Sequence, residues 1–195
     1  MTALWLRLSQ LLMLPLLPLI LWQGKRTRKL TPRLAAAGGN CQGQSGNGEP
    51  LRLLHIGEST VAGVGIDDIE QGLTAQLSRQ LDKDYCVQWQ TLSANGLTAK
   101  QLLQHLPAGQ IRCDVLIITL GVNDTTELTR RRHWRQHLKQ LSQAIDCHTL
   151  LVTQVPPMQR FPALPRPLNW FLGVRAWQLD QVLQQLSQQQ GWLYQ

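Results

Sequence analysis

From Leu51 onward, short apolar runs alternate with amphipathic stretches, and this alternation limits the possible folds more than any other feature. The run CDVLIITLG at 113–121 is almost continuously aliphatic, which is typical of a strand buried on both faces of a sheet. Leu73, Leu77 and Leu81 recur every four residues, as they do on one face of a helix. Strands that alternate with helices predict a parallel sheet with helices on both sides.

The alternation predicts four complete strands and the opening of a fifth. We place the strands at 51–57, 85–92, 113–121 and 148–155, and the opening of the fifth at 191–195. We place the helices at 70–81, 97–106, 129–145 and 174–189. The prediction is a three-layer α/β/α domain with a parallel, flavodoxin-like sheet, in which the final strand and a C-terminal helix are truncated.

The first 50 residues differ from the rest in composition. An apolar run at 11–22 is followed by the basic sequence KRTRK at 25–29, whereas a secretory signal carries its positive charges before the apolar run. Basic residues tend to stay on the cytoplasmic side, so we predict that residues 1–34 are a membrane anchor and that the domain is cytoplasmic. The alternatives are an interfacial segment, a signal peptide with unusual flanks, or an arm packed on the domain. Residues 35–50 are small and glycine-rich and predict a flexible linker before a domain at 51–195.

The net charge of +7 belongs mainly to this arm. Residues 1–50 hold six Lys or Arg and one acid, whereas residues 51–195 hold thirteen and eleven. We therefore expect no nucleic-acid partner for the domain. The cysteines lack C-x-x-C spacing, and His133 and His137 lack the glutamate of an H-E-x-x-H site. We expect neither a metal nor a cofactor.

Ligands of parallel α/β sheets bind beyond the carboxyl ends of the strands. The segments that follow the first three predicted strands are GESTVAGVG at 57–65, SANGLTA at 93–99 and LGVND at 120–124. A serine becomes a nucleophile when a base takes its proton and hydrogen-bond donors stabilise the oxyanion. Ser59 could be that nucleophile, with donors from its own N–H, the N–H of Gly96 and the amide of Asn123. Each segment alone could equally be an ordinary turn.

Taken together, these segments resemble the SGNH hydrolases, the GDSL-like lipase and esterase family. GEST stands where the family has Gly-Asp-Ser, NG supplies its glycine block, and GVND matches its Gly-x-Asn-Asp block. The resemblance covers about residues 51–195. It implies a serine hydrolase of ester bonds that forms an acyl-enzyme on Ser59, with an oxyanion hole completed by Gly96 and Asn123.

Two positions depart from the family pattern. Glu58 replaces the usual aspartate, and the sequence has no Asp-x-x-His block to supply the catalytic histidine. We expect the chain to be a fragment whose base lies beyond Gln195, and we expect His55 to pack inside the sheet. The alternative function is a non-catalytic, membrane-tethered domain that binds an acyl or glycan ligand.

The proline-rich stretch at 156–167 follows the fourth strand and should border the same edge of the sheet. Met158 and Phe161 could line an acyl pocket, or the stretch could be a rigid surface loop with a few buried anchors. The predicted partners are a small-molecule or lipid-like ester and, through the N-terminal segment, a membrane.

Overall fold

The computed structural model describes residues 14–32 and 34–195, and six strands within them form one sheet. The strands are β1 (Gln42–Ser45), β2 (Glu49–Gly57), β3 (Tyr85–Ser93), β4 (Ile111–Thr119), β5 (Ile145–Val152) and β6 (Leu193–Tyr194). Their order is β1-β3-β2-β4-β5-β6, with β1 antiparallel to β3 and all other neighbours parallel. The five parallel strands have the flavodoxin-like order, so the predicted fold class is confirmed.

In the same described ranges, six α-helices connect or flank these strands. They are α1 (Leu17–Leu30), α2 (Leu73–Leu81), α3 (Ala99–His105), α4 (Val122–Thr126), α5 (Arg131–Ala144) and α6 (Leu168–Gln190). Single 3₁₀ turns lie at Leu14–Leu16, Ile69–Gln71 and Met158–Arg160. Helix α6 begins six residues earlier than predicted, directly after Pro167, which is compatible with a helix start but not with a helix interior.

The core has two parts, one on each face of the sheet. Neighbouring residues of a strand point to opposite faces, so Leu53 and Leu54 enter different parts. The larger part lies under α3, α5 and α6, and the smaller part lies under α2. At the centre of the larger part, Trp134 is fully buried and donates its indole N–H to the carbonyl of Leu179 at 3.0 Å. Its bulk and its hydrogen bond fix α5 against α6.

Helix α1 packs on the domain at the start of α6. Ile20 and Gln23 are its buried residues. The Gln23 amide donates to the carbonyl of Arg166 at 2.6 Å and accepts from the backbone N–H of Leu168 at 3.1 Å. In the two described ranges, no helix has the length and apolar character that a membrane span requires. The rest of the predicted anchor, residues 1–13 and residue 33, lies outside the described residues.

The segment that the sequence predicts to be a flexible linker is partly ordered against the domain. Strand β1 pairs with β3 along one edge of the sheet. Upstream of β1, the N–H of Ala37 donates to the carbonyl of Ala62 at 3.1 Å, and the N–H of Gly65 donates to the carbonyl of Ala35 at 3.3 Å. The chain before β1 therefore runs alongside the turn that follows β2.

Three parallel strands end at the same level of the sheet. Gly57, the last residue of β2, pairs with Ser93 of β3 on one side and with Thr119 of β4 on the other. Because β2 lies between these two strands, the loops that leave all three emerge side by side. This register places the three sequence segments singled out above at one edge.

Strand β6 is held by a buried hydrogen-bonded group on α6. Asp180 is 5% exposed and accepts from the backbone N–H of Val155 at 3.0 Å and from the Tyr194 hydroxyl at 2.8 Å. We predict that Tyr194→Phe lowers the free energy of unfolding by about 1.5 kcal/mol, because a bond to a charged group is lost. Urea unfolding measures this loss, with the exposed Tyr85→Phe as the matched control. Equal stability of the two variants would contradict the prediction.

Candidate active site

Ser59 lies in a tight helical turn that begins where β2 ends. The carbonyl of Glu58 accepts from the N–H groups of Val61 and Ala62, both at 3.0 Å, which winds the chain around Ser59. Gly57 permits this turn, because a Cβ there would lie 2.5 Å from the carbonyl oxygen of Thr119. Ser59 itself is partly exposed. A hydroxyl in this position is presented to solvent at the edge of the sheet.

The loop after β3 carries Gly96. Gly96 has φ +88°, a left-handed conformation that favours glycine, and no atom within 4 Å would meet an added Cβ. Two residues later, Thr98 caps α3 by a reciprocal pair of hydrogen bonds with Gln101. The cap fixes the loop from its helical side, and the exposed glycine leaves its backbone open to an approaching ligand.

The loop after β4 carries Asn123, which is bonded to both of the other loops. Gly121 has φ +131°, and α4 begins directly after it. The Asn123 amide Nδ2 donates to the carbonyl of Leu97 at 3.1 Å and to the carboxylate of Glu58. Leu97 follows Gly96, and Glu58 precedes Ser59. The structure therefore brings all three predicted segments together, although their catalytic roles remain predictions.

The Glu58 carboxylate is the centre of this arrangement. Glu58 is 3% exposed. One carboxylate oxygen accepts from the N–H of Val122 at 2.8 Å, and the other accepts from the N–H of Asn123 at 2.9 Å as well as from its side chain. Burial raises the pKa of Glu58, and the backbone N–H groups partly counteract that rise. Glu58 is thus a positioning residue that fixes the Asn123 loop relative to Ser59.

Asp124 supplies a second buried connection. Its carboxylate accepts from the N–H of Ala99, the first residue of α3, at 2.8 Å. Burial raises the pKa of this group as well. The bond joins the start of α4 to the start of α3, so Asp124 braces the loop.

The hydrogen-bond donors of the site differ in availability. In the described part of the chain, the N–H groups of Ser59 and Gly96 take part in no hydrogen bond, so both could serve a negatively charged oxygen. The Asn123 amide has two N–H donors, and Glu58 and Leu97 accept from that group. Asn123 would therefore have to release or share one of these bonds to bind an oxyanion.

None of the hydrogen bonds formed by the five histidines involves Ser59. His55 is buried, with its ring nitrogens 2.9 Å from the hydroxyls of Thr74 and Thr119. Burial lowers the pKa of His55 to about 4, so the ring is neutral at pH 7. The predicted packing role of His55 is confirmed. The remaining four lie on α3, α5 and β5: His105, His133, His137 and His148.

Met158 and Phe161 lie in the stretch that follows β5. Met158 is 2% exposed and belongs to the larger core, and Phe161 is partly buried against the same core. Their environment is that of anchors for a surface loop, which was the alternative reading of this stretch. A role in an acyl pocket stays a prediction. The burial of Met158 favours a packing role for this residue.

Among residues 14–32 and 34–195, no three His, Cys, Asp or Glu side chains lie close enough together to hold a metal ion. His133 and His137 have ring centroids 6.3 Å apart on α5. Burial lowers the pKa of His137, and the neighbouring His133 and Lys100 add to this lowering.

Sequence reasoning missed the role of Glu58. The pattern showed an acid directly after a buried strand, but its partners lie more than 60 residues away along the chain. It also missed the contact of the arm with the site: the side chain of Asn95, the neighbour of Gly96, donates to the carbonyl of Leu34 at 3.5 Å. Nothing in the composition of the arm indicates this contact.

This architecture is shared with a known protein family and with several solved structures. The model of the GDSL-like lipase/acylhydrolase family matches residues 55–195. No curated protein matches the chain in sequence. Among solved structures, TesA is 24% identical with a TM-score of 0.54, and covers 73% of this chain and 76% of its own.

Two further solved structures have the same fold. AlinE4, an SGNH-hydrolase family esterase, is 18% identical with a TM-score of 0.55 and covers 76% of each chain. The lipase/acylhydrolase from Enterococcus faecalis is 17% identical with a TM-score of 0.54 and covers 74% of each chain. These likenesses agree with the family match, which extends over most of the sequence and includes all three loops of the site. The chain therefore belongs to the GDSL-like lipase/acylhydrolase family.

Proposed function

We propose that this protein is a serine hydrolase of carboxylic esters that works through an acyl-enzyme on Ser59. The observation that carries the proposal is the position of Ser59 in a tight turn at the end of β2. Glu58 and Leu97 connect that turn to Asn123 and to the Gly96 loop. Family membership supports hydrolysis of an ester or acyl bond.

The proposed reaction begins with attack of the Ser59 Oγ on the ester carbonyl carbon. The carbonyl oxygen becomes an oxyanion that accepts from the N–H groups of Ser59 and Gly96. A base takes the proton of Ser59 and passes it to the alcohol, which leaves when collapse of this intermediate breaks its bond to the carbonyl carbon. Water then attacks the carbonyl carbon of the acyl-enzyme, the bond to the Ser59 Oγ breaks, and the acid is released while a proton from the water returns to Ser59. The substrate class is a small-molecule or lipid-like ester.

Proton removal from Ser59 limits the rate in the chain described here. In the described residues no histidine forms a hydrogen bond with Ser59, and His55 and His105 bond to other groups, so a base from solution has to take the proton. The donors alone still provide catalysis, because removal of a triad member from serine hydrolases leaves a rate roughly 10³–10⁴ above water. We therefore expect slow turnover that rises when imidazole is added.

The experiment measures hydrolysis of a short-chain aryl ester with and without imidazole. We predict that Ser59→Ala removes the imidazole-dependent rate above the imidazole background and lowers the basal rate about tenfold or more. Thr60→Ala is the matched control, because it removes an exposed hydroxyl from the next position of the same turn. Thr60→Ala should behave like the unmodified chain.

A rate unchanged by Ser59→Ala would reject the assignment of the nucleophile. The lack of a hydrogen bond between Ser59 and any histidine of the described residues favours one other function, a domain that binds an acyl or glycan ligand without hydrolysing it. That function predicts no Ser59-dependent turnover with imidazole, together with retained binding of the ester in equilibrium dialysis.

A further inference from the structure

The N-terminal helix presents an unusual surface outside the candidate active site. Of the large apolar side chains that are exposed, several cluster on α1 and beside it, with Leu21 60%, Trp22 54% and Leu30 66% exposed. Trp170, at the start of α6, is 53% exposed. Exposed apolar patches on a folded protein mark interaction sites more often than scattered single residues do. We call these four apolar side chains, together with the exposed cations Lys25, Arg26, Arg28 and Lys29, the α1 surface.

Cations are interspersed with these apolar side chains. Exposed on α1 are Lys25, Arg26, Arg28 and Lys29. The sequence has no acidic residue before Glu49, so the helix carries no charge of opposite sign. In the described ranges, no carboxylate lies within ion-pair distance of these four cations. The surface therefore combines apolar area with uncompensated positive charge.

Two arginine–tryptophan pairs frame the α1 surface. The guanidinium of Arg26 lies 5.1 Å from the ring centroid of Trp22, and that of Arg166 lies 5.5 Å from the ring centroid of Trp170. Stacked guanidinium groups keep N–H donors free at their edges, and those donors suit phosphate oxygens. Tryptophan rings favour the interface between lipid head groups and acyl chains.

The α1 surface has a fixed orientation relative to the domain. The amide of Gln23 bonds the backbone of Arg166 and Leu168, so the two pairs are held on either side of this junction. A groove of about 550 Å³ lies between α1 and the proline-rich loop, with Trp22, Arg26, Pro162 and Pro165 among its lining residues.

We propose that the α1 surface binds the surface of a bilayer that contains anionic phospholipids. The charge is complementary to lipid phosphates, and the exposed leucines and tryptophans are of the kind that enters the boundary between head groups and acyl chains. The contact is peripheral, with α1 lying along the interface and the domain held beside it. This proposal does not depend on the function of Ser59.

The test is sedimentation of the full chain with vesicles. One set contains phosphatidylcholine alone, and the other contains about one third phosphatidylglycerol. The test variant carries Lys25→Gln, Arg26→Gln, Arg28→Gln and Lys29→Gln. The matched control loses four exposed cations elsewhere, through Lys83→Gln, Lys100→Gln, Arg130→Gln and Arg132→Gln. A second test variant, Trp22→Ala with Trp170→Ala, keeps the charge and removes the rings.

We expect the unmodified chain to bind the anionic vesicles far better than the neutral ones. The test variant should bind about 600-fold more weakly, since each of its four missing cations contributes roughly a fivefold factor near an anionic surface. The control should stay within about fivefold of the unmodified chain, and the tryptophan variant should lose about tenfold. Added salt should weaken the binding of the unmodified chain, because exposed charges are screened.

Three results would overturn the proposal. They are absence of binding to the anionic vesicles, equal binding to both kinds of vesicle, and equal losses in the test variant and its charge-matched control. Equal losses would mean that net charge alone, rather than this surface, determines binding. Circular dichroism of each variant shows whether the helical content is retained, and thermal unfolding shows whether the domain remains folded.

Discussion

Replacement of Glu58 by alanine is expected to lower the free energy of unfolding by about 4 kcal/mol. The Glu58 carboxylate accepts from three donors: the backbone N–H of Val122, the backbone N–H of Asn123 and the Asn123 amide. Alanine leaves all three without their acceptor in a largely buried site, and each stranded donor costs about 1–3 kcal/mol. Water that enters the space left by the side chain reduces the total below the sum.

Two milder substitutions of Glu58 should lower the free energy of unfolding by less than alanine does. Glu58→Gln keeps the shape but replaces one acceptor oxygen with a donor NH₂, which faces either Val122 or Asn123 unfavourably. Glu58→Asp restores the usual family residue, but the shorter side chain cannot reach the same donors without movement of the α4 loop. We expect a loss of about 2 kcal/mol for glutamine and a similar loss for aspartate.

Urea unfolding followed by tryptophan fluorescence measures these differences. Glu127→Ala is the matched control, since Glu127 is an exposed carboxylate at the end of α4 and should change stability by less than about 0.5 kcal/mol. The Ser59-dependent rate should fall with the Glu58 variants, because Asn123 and the loop it bonds lose their fixed position. Equal stability of Glu58→Ala and Glu127→Ala would show that the carboxylate does not hold the loops.

The fold was predictable because its determinants are local. The aliphatic run at 113–121 and the regular leucines of α2 each fix one element, and the alternation of elements fixes the parallel sheet. The rule that ligands meet the carboxyl ends of parallel strands then selected three loops, and the register of Gly57 with Ser93 and Thr119 explains why the rule works here.

The elements that escaped prediction depend on tertiary contacts. Strand β1 has the sequence QGQS, with neither apolar alternation nor β-branched residues, and it exists because β3 offers a free edge for pairing. Helix α1 contains a proline and a basic end, and its position depends on Gln23, whose partners lie more than 140 residues away. No local pattern specifies such contacts.

The candidate site likewise has one part that the sequence predicts and one part that depends on tertiary contacts. The sequence indicates which residues lie at the edge of the sheet, but not which of them bond to each other. Glu58 is an example. Its side chain is one methylene longer than the aspartate usual in the family, and this longer side chain contacts Asn123. The substitution and the contact are connected in the structure, whereas the sequence shows only the substitution.

Acidification from pH 6.5 to 4 is expected to remove about 3 kcal/mol of stability through His55 alone. Burial holds the pKa of His55 at about 4 in the folded protein, against an ordinary value of 6.5. As the pH falls through this window, the unfolded chain takes up a proton at this residue and the folded chain does not. The free energy of unfolding therefore falls by about 1.4 kcal/mol per pH unit, and the contribution is fully present above pH 6.5.

Glu58 and Asp124 act in the opposite direction, so the contribution of His55 has to be isolated by difference. Burial raises the pKa of both carboxyls, and their protonation stabilises the folded state as the pH falls. Urea unfolding of the unmodified chain and of His55→Asn across pH 4–7 cancels these shared effects. The difference in stability between the two should shrink by about 3 kcal/mol between pH 6.5 and 4.

The control for this measurement is His133→Asn. This residue is exposed on α5, and the variant should follow the unmodified chain throughout. Parallel curves for the unmodified chain and His55→Asn would mean that His55 is free to take up a proton in the folded protein, in conflict with its position between Thr74 and Thr119.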